Sequence, residues 1–108
     1  MKAKILIVDD DPDIATMLED RLQASDYGTV IAQDGVQALE LIEQEAPHLM
    51  LLDLDMPRLT GLEVLKRLPK VRPVEALPVI VMTAHASIDA AVEAMKTGAY
   101  DFLTKPLD

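Results

Sequence analysis

Short aliphatic runs alternate with segments of helical period along the whole chain, and this alternation most limits what it can fold into. AKILIV (3–8), GTVIAQ (28–33), HLMLL through about Leu52, PVIVMTA (78–84) and the shorter YDFLT (100–104) read as strands. PDIATMLEDRLQAS, DGVQALELIEQEA, TGLEVLKRL and SIDAAVEAMKTG lie between them and repeat apolar residues at three- and four-residue spacing. Strands that are apolar throughout are buried on both faces, which requires a parallel sheet with helices on either side. Right-handed crossovers then lead to an α/β, doubly wound parallel sheet of five strands. Its functional crevice lies at the carboxyl ends of the strands, and strands one and three are neighbours flanking the switch point.

Each helix carries its own start and stop signals. Asp11 before Pro12 is a cap followed by a first-turn proline, with Ile14, Met17, Leu18 and Leu22 on one face. Asp34 caps a second helix that turns Ala38, Leu39 and Ile42 inward, and Pro47 stops it. Leu62, Leu65 and Leu68 mark the third helix, and PKVRPVEAL reads as a loop. Ser87 caps the fourth helix, Gly98 ends it, and Ile88, Ala91, Val92 and Met95 are expected inward. A fifth helix is expected after the fifth strand and is absent from these 108 residues. An apolar patch beside the first helix and strands one and five should result.

With 108 residues the chain is read as one domain over 1–108. It has no cysteine, which excludes disulfides and thiolate metal sites. MKAKILIVDDD does not have a signal-peptide layout and no apolar run reaches spanning length, so no membrane is expected and the expected location is the cytoplasm. Nineteen acidic against ten basic residues give a formal charge of −9, which argues against direct nucleic-acid binding by this chain.

The position of the acids is more informative than their number. Asp9 and Asp10 come after strand one, Asp53 after strand three and Thr83 at the end of strand four, and Lys105 follows strand five. Singly, each has an ordinary reading as a turn, strand or surface residue; together they fall on one edge of the sheet. Carboxylates forced together call for a cation, and with no thiolate available Mg²⁺ fits best. A lysine and a hydroxyl beside it suit phosphoryl transfer by positioning and charge neutralisation, and an ionised aspartate needs no base to act as nucleophile. His48, next to Pro47, reads as an edge residue.

ILIVDDD, LLDLDMPRLTGLEVL, LPVIVMTA and YDFLTKP, in this order and spacing, resemble the receiver domain of bacterial two-component response regulators. The resemblance covers essentially the whole chain. It implies a flavodoxin-like sheet of order 2-1-3-4-5. It further implies a switch that takes a phosphoryl group from a histidine kinase onto Asp53, with Mg²⁺ held by Asp9, Asp10, Asp53 and the backbone carbonyl of Asp55. Thr83 matches the hydroxyl that follows the phosphoryl oxygen, Ala84 the small residue beside it, and Lys105 the phosphate-pairing lysine. Phe102 matches the aromatic switch position. Met56, Pro57 and Gly61 shape the loop after the nucleophile, and Lys105-Pro106 is expected to be cis. The chain would be a regulatory phosphoacceptor rather than an enzyme, with an output domain or self-association as its target. SIDAAVEAMKTGAYDFLTKP resembles receivers joined to transcription activators of the nitrogen-regulation type. Asp55 and His85 flank the route of an attacking water.

Two rivals are set beside this reading. LLDLDMP also resembles the D-x-D nucleophile motif of haloacid-dehalogenase-type phosphatases, but Pro57 and the upstream position of Asp9 and Asp10 depart from that pattern. A pseudo-receiver would lack one of Asp10, Asp53 or Lys105, and all three are present.

Overall fold

The computed structural model describes residues 2–71, 77–84 and 88–107. Ser87, His85 and residues 72–76 of the expected loop lie outside the described residues. The element order is β1 (Lys4–Val8), α1 (Pro12–Ala24), β2 (Gly28–Ala32), α2 (Gly35–Glu45), β3 (Leu49–Asp53), α3 (Gly61–Val71), β4 (Val79–Ala84), α4 (Ile88–Thr97) and β5 (Asp101–Lys105). All neighbouring strands pair in parallel, in the order β2-β1-β3-β4-β5, as expected. Among the described residues no helix follows β5, and none is long and apolar enough to cross a membrane.

The continuous aliphatic strands divide their side chains between two cores, because successive residues point to opposite faces. Leu6 and Val8 of β1 join Met50, Leu52, Val79 and Val81 under α2, α3 and α4. Ile5 and Ile7 join Leu51 and Met82 under α1, where Ala15 and Leu18 are buried and Ile14, Met17 and Leu22 pack at the edge. On that second face Leu103, in register with Met82, is 43% exposed.

The caps follow the chemistry read from the sequence. The Asp11 side chain accepts from the Asp13 amide with Pro12 in the first turn, and the Asp34 side chain accepts from the Gln37 amide. At the start of α3, Thr60 and Glu63 exchange side chain-to-amide bonds of 3.0 and 3.2 Å, a reciprocal box that satisfies two orphan donors. Gly98 takes φ 117° and closes α4, with Ala99 donating back to the Ala94 carbonyl at 3.0 Å.

Two expectations are corrected. Helix α3 runs to Val71 rather than ending at Leu68, so its backbone passes Pro69. A proline removes a single i→i−4 bond there, and the preceding turns are anchored by buried Val64, Leu65 and Leu68. In α4, Ala91 is inward as expected but Ile88, Val92 and Met95 are exposed, at 51, 48 and 38%. The helix instead turns Ala91 and Ala94 to the protein, because two methyl-sized side chains let it approach more closely than the larger residues would.

Candidate functional site

The ends of β1 and β3 are built alike. Asp9 is 1% exposed, and its Oδ1 accepts from the Asp11 amide at 2.9 Å. Asp53 is equally buried, and its Oδ1 accepts from the Asp55 amide at 3.0 Å. Each is an Asx turn in which the carboxylate bends the chain back on itself as the strand ends. Because β1 and β3 are adjacent, the two turns lie side by side.

Lys105 arrives from the far edge of the sheet. Its ammonium donates to Asp9 Oδ2 at 3.0 Å and lies 3.4 Å from Asp53 Oδ2. The Lys105-Pro106 peptide is cis, as the resemblance implied. Asp10 is exposed, and one carboxylate oxygen from each of Asp9, Asp10 and Asp53 falls within 4.8 Å of the others. Three hard oxygen donors of this kind suit a hard divalent cation such as Mg²⁺ and offer nothing to a soft one.

Burial is the leading influence on Asp53 and pushes its carboxyl up to about 6 from an ordinary 3.8; the Asp55 amide draws it down, the Asp9 charge raises it and Lys105 lowers it. Burial opposes the charge on Lys105, yet its hydrogen bond to Asp9 and the charges of Asp53 and Asp9 outweigh that and hold it above its ordinary value. The site thus keeps a cation firmly charged beside a carboxylate that titrates close to neutrality.

The remaining residues singled out in the sequence take up different positions. Thr83 is fully buried at the end of β4, one register step past the Asp53–Met82 pairing, and its hydroxyl makes a long 3.4 Å bond to the Ala84 carbonyl. Phe102 stands opposite Val81, is 37% exposed and belongs to neither core cluster. His48 sits where the strands begin, accepting from the Lys4 amide at 2.9 Å and donating its own amide to the Lys4 carbonyl. It lies just before the start of β3, at the opposite end of the strands from the carboxylate cluster.

Met56 is 4% exposed and anchors the loop after Asp53 in the core. A Cβ on Gly61 would run into the Asp53 carbonyl oxygen and approach the Leu54 Cα to 2.7 Å, so α3 can start against the loop only with glycine there. One contact was not legible in the sequence: the Asp55 side chain accepts from the Ala84 amide at 3.2 Å, joining the loop after β3 to the end of β4. Only the two-residue offset of Asp55 from Asp53 hinted at a role.

Residues 5–108 match the family profile of the response regulator receiver domain. The chain is 43% identical over 104 residues to the transcriptional regulatory protein ZraR of Escherichia coli K12, covering 96% of this chain and 23% of that protein. It is 39% identical over 104 residues to the DNA-binding transcriptional regulator NtrC of the same organism, covering 96% and 22%. Among solved structures it resembles the chemotaxis protein CheY4 of Vibrio cholerae, with a TM-score of 0.92 and 30% identity over 100% of this chain and 90% of that one. It also resembles NtrX from Brucella abortus, with a TM-score of 0.91 and 39% identity over 100% and 24%. The chain spans less than a quarter of the length of the curated relatives it matches. With its strand order, its acidic pair, its strand-end aspartate and its lysine in place, this chain belongs to the response regulator receiver domain family.

Proposed function

We propose that residues 1–108 act as a phosphoacceptor domain in which Asp53 takes a phosphoryl group from a histidine kinase. The observation that carries this is the setting of Asp53: buried at a strand end, with Asp9 on one side and the Lys105 ammonium at 3.4 Å. An Asp53 carboxylate oxygen forms the new P–O bond as the P–N bond of the donor phosphohistidine breaks. The electron pair returns to the imidazole nitrogen, which takes a proton.

Asp9, Asp10, Asp53 and the Asp55 carbonyl would hold Mg²⁺, and the oxygen donors of the three side chains fit it. When bound, Mg²⁺ neutralises charge on the phosphoryl oxygens. Lys105 turns from Asp9 toward the phosphoryl group, the Thr83 hydroxyl turns to one of its oxygens, and Ala84 leaves room for it. Phe102, which has no hydroxyl, responds by ring packing alone.

The domain functions as a switch in the cytoplasm, catalysing only its own phosphorylation and slow hydrolysis. The output it controls is a transcription-regulating domain or self-association, in keeping with the names of ZraR and NtrC. The test is intact-mass measurement after incubation with acetyl phosphate and Mg²⁺. One acid-labile phosphoryl addition is expected, lost in Asp53→Asn; undiminished labelling of that variant overturns the assignment.

A further inference from the structure

The backbone ladder between β3 and β4 ends where Asp53 pairs with Met82, and the Leu54 amide adds one more bond to the Met82 carbonyl at 2.9 Å. The next link is made by a side chain. Asp55 Oδ2 accepts from the Ala84 amide at 3.2 Å, while the Asp55 amide donates to Asp53 Oδ1 at 3.0 Å. Asp55 therefore grips the acceptor carboxylate with its backbone and the end of β4 with its side chain. Ala84 is in turn paired in register with Lys105 on β5.

We infer that the Asp55 carboxylate is a resting-state latch on the Ala84 amide, released when Asp53 is phosphorylated. The inference rests on the phosphoacceptor reading of Asp53. A phosphoryl group carries about −1.5 to −2 charges and strong acceptor oxygens, so it both repels the Asp55 carboxylate and competes for the same N–H. Asp55 is exposed and can turn into water at little cost, whereas Ala84 is held in the sheet. One amide thus has two competing anions, and their exchange converts added charge at Asp53 into a changed attachment of the β4 end. Asp55 is a positioning residue in this scheme.

The test compares Asp55→Asn, which keeps an acceptor oxygen, with Asp55→Ala, which keeps none. Both lose the same charge, so their ratio isolates the latch. In Mg²⁺ without a phosphoryl mimic, the Ala84 amide should exchange with solvent several-fold faster in Asp55→Ala than in wild type. With beryllofluoride as the mimic, Asp55→Ala should bind about fivefold more tightly than Asp55→Asn, the ratio expected for one hydrogen bond of about 1 kcal/mol. Equal affinities, or unchanged Ala84 exchange in Asp55→Ala, overturn the latch while leaving Asp53 as acceptor. Movement of the Ala84 amide resonance to its mimic-bound position by Mg²⁺ alone also overturns it. Failure of wild type to bind beryllofluoride overturns both readings.

Discussion

Lys105 donates to Asp9 at 3.0 Å across 96 positions of sequence, and the same ammonium lies 3.4 Å from Asp53. Two almost fully buried carboxylates thus share one cation. Removing one partner of a buried pair costs about 3–5 kcal/mol, because the remaining charge is left uncompensated. Lys105→Met should therefore destabilise the metal-free protein by about 3 kcal/mol at pH 8. The loss should shrink at pH 5, where Asp53 can relieve the repulsion by taking a proton. Urea unfolding at the two pH values checks this; an equal loss at both would contradict the shared cation.

The carboxyl of Asp53 titrates near 6 in the folded protein against an ordinary 3.8. Between those values the folded state keeps a proton that the unfolded state releases, so stability must fall as pH rises through the window. The gap corresponds to on the order of 3 kcal/mol. In metal-free buffer, wild type should lose most of that relative to Asp53→Asn between pH 4 and pH 7. Taking the difference cancels other groups, such as Glu63, which the Thr60 amide and hydroxyl hold below its ordinary value. A constant difference across this range would show that burial does not raise Asp53.

Gly61 is fixed by close approach, since an added Cβ meets the Asp53 carbonyl oxygen and the Leu54 backbone. Backbone cannot yield as a flexible side chain can, and overpacking of this kind costs about 1–3 kcal/mol or more. Gly61→Ala should lower the melting temperature and also reduce phosphorylation by acetyl phosphate, because relief of the clash moves the backbone at Asp53 and Leu54, where the proposed acceptor lies. A variant that melts lower yet phosphorylates at the wild-type rate would limit Gly61 to a packing role.

Helix α4 offers a test of how its faces are assigned. Val92 is 48% exposed whereas Ala94 is fully buried. Val92→Gln should change stability by no more than about 0.5 kcal/mol, while Ala94→Leu should cost about 1–3 kcal/mol by overpacking. Chemical denaturation of the two variants distinguishes the faces; a large loss from Val92→Gln would return Val92 to the core.

That helix also marks where the sequence ceases to be a guide. The buried stretches 5–8 of β1 and 50–52 of β3 are legible because burial on both faces leaves no polar positions, and the caps at Asp11 and Asp34 are legible because few residues can perform that task. In α4 the periodicity of Ile88, Val92 and Met95 is as regular as in any inward face, yet close contact with the sheet selects the small residues. Apolar spacing reports that a helix has a hydrophobic face, not that the face is covered. The grouping of Asp9, Asp10, Asp53 and Lys105 follows from strand order alone. The Asp55–Ala84 contact depends on side-chain direction in a loop, which no spacing encodes.

The three consecutive aspartates after β1 divide their tasks, and thermal melts can separate them. Asp9 is buried and holds Lys105 and the Asp11 amide, Asp10 is exposed and adds an oxygen to the carboxylate cluster, and Asp11 caps α1. If Mg²⁺ is held by the folded cluster as proposed, it has no such site among the dispersed carboxylates of the unfolded chain. It should therefore stabilise wild type by about 2.7 kcal/mol at a hundredfold excess over its dissociation constant. Asp10→Asn removes one charge and one of the three clustered carboxylates without emptying space in the core. It should leave the metal-free melting temperature equal to or slightly above that of wild type, since repulsion within the cluster is reduced, and it should lose most of the Mg²⁺-dependent increase. Asp11→Asn should keep that increase in full, because asparagine caps a helix about as well as aspartate and the Asp11 side chain is engaged with the Asp13 amide. Six melts, three proteins with and without Mg²⁺, decide the matter. A Mg²⁺ response that survives in Asp10→Asn and vanishes in Asp11→Asn would move the cation from the strand end to the helix start.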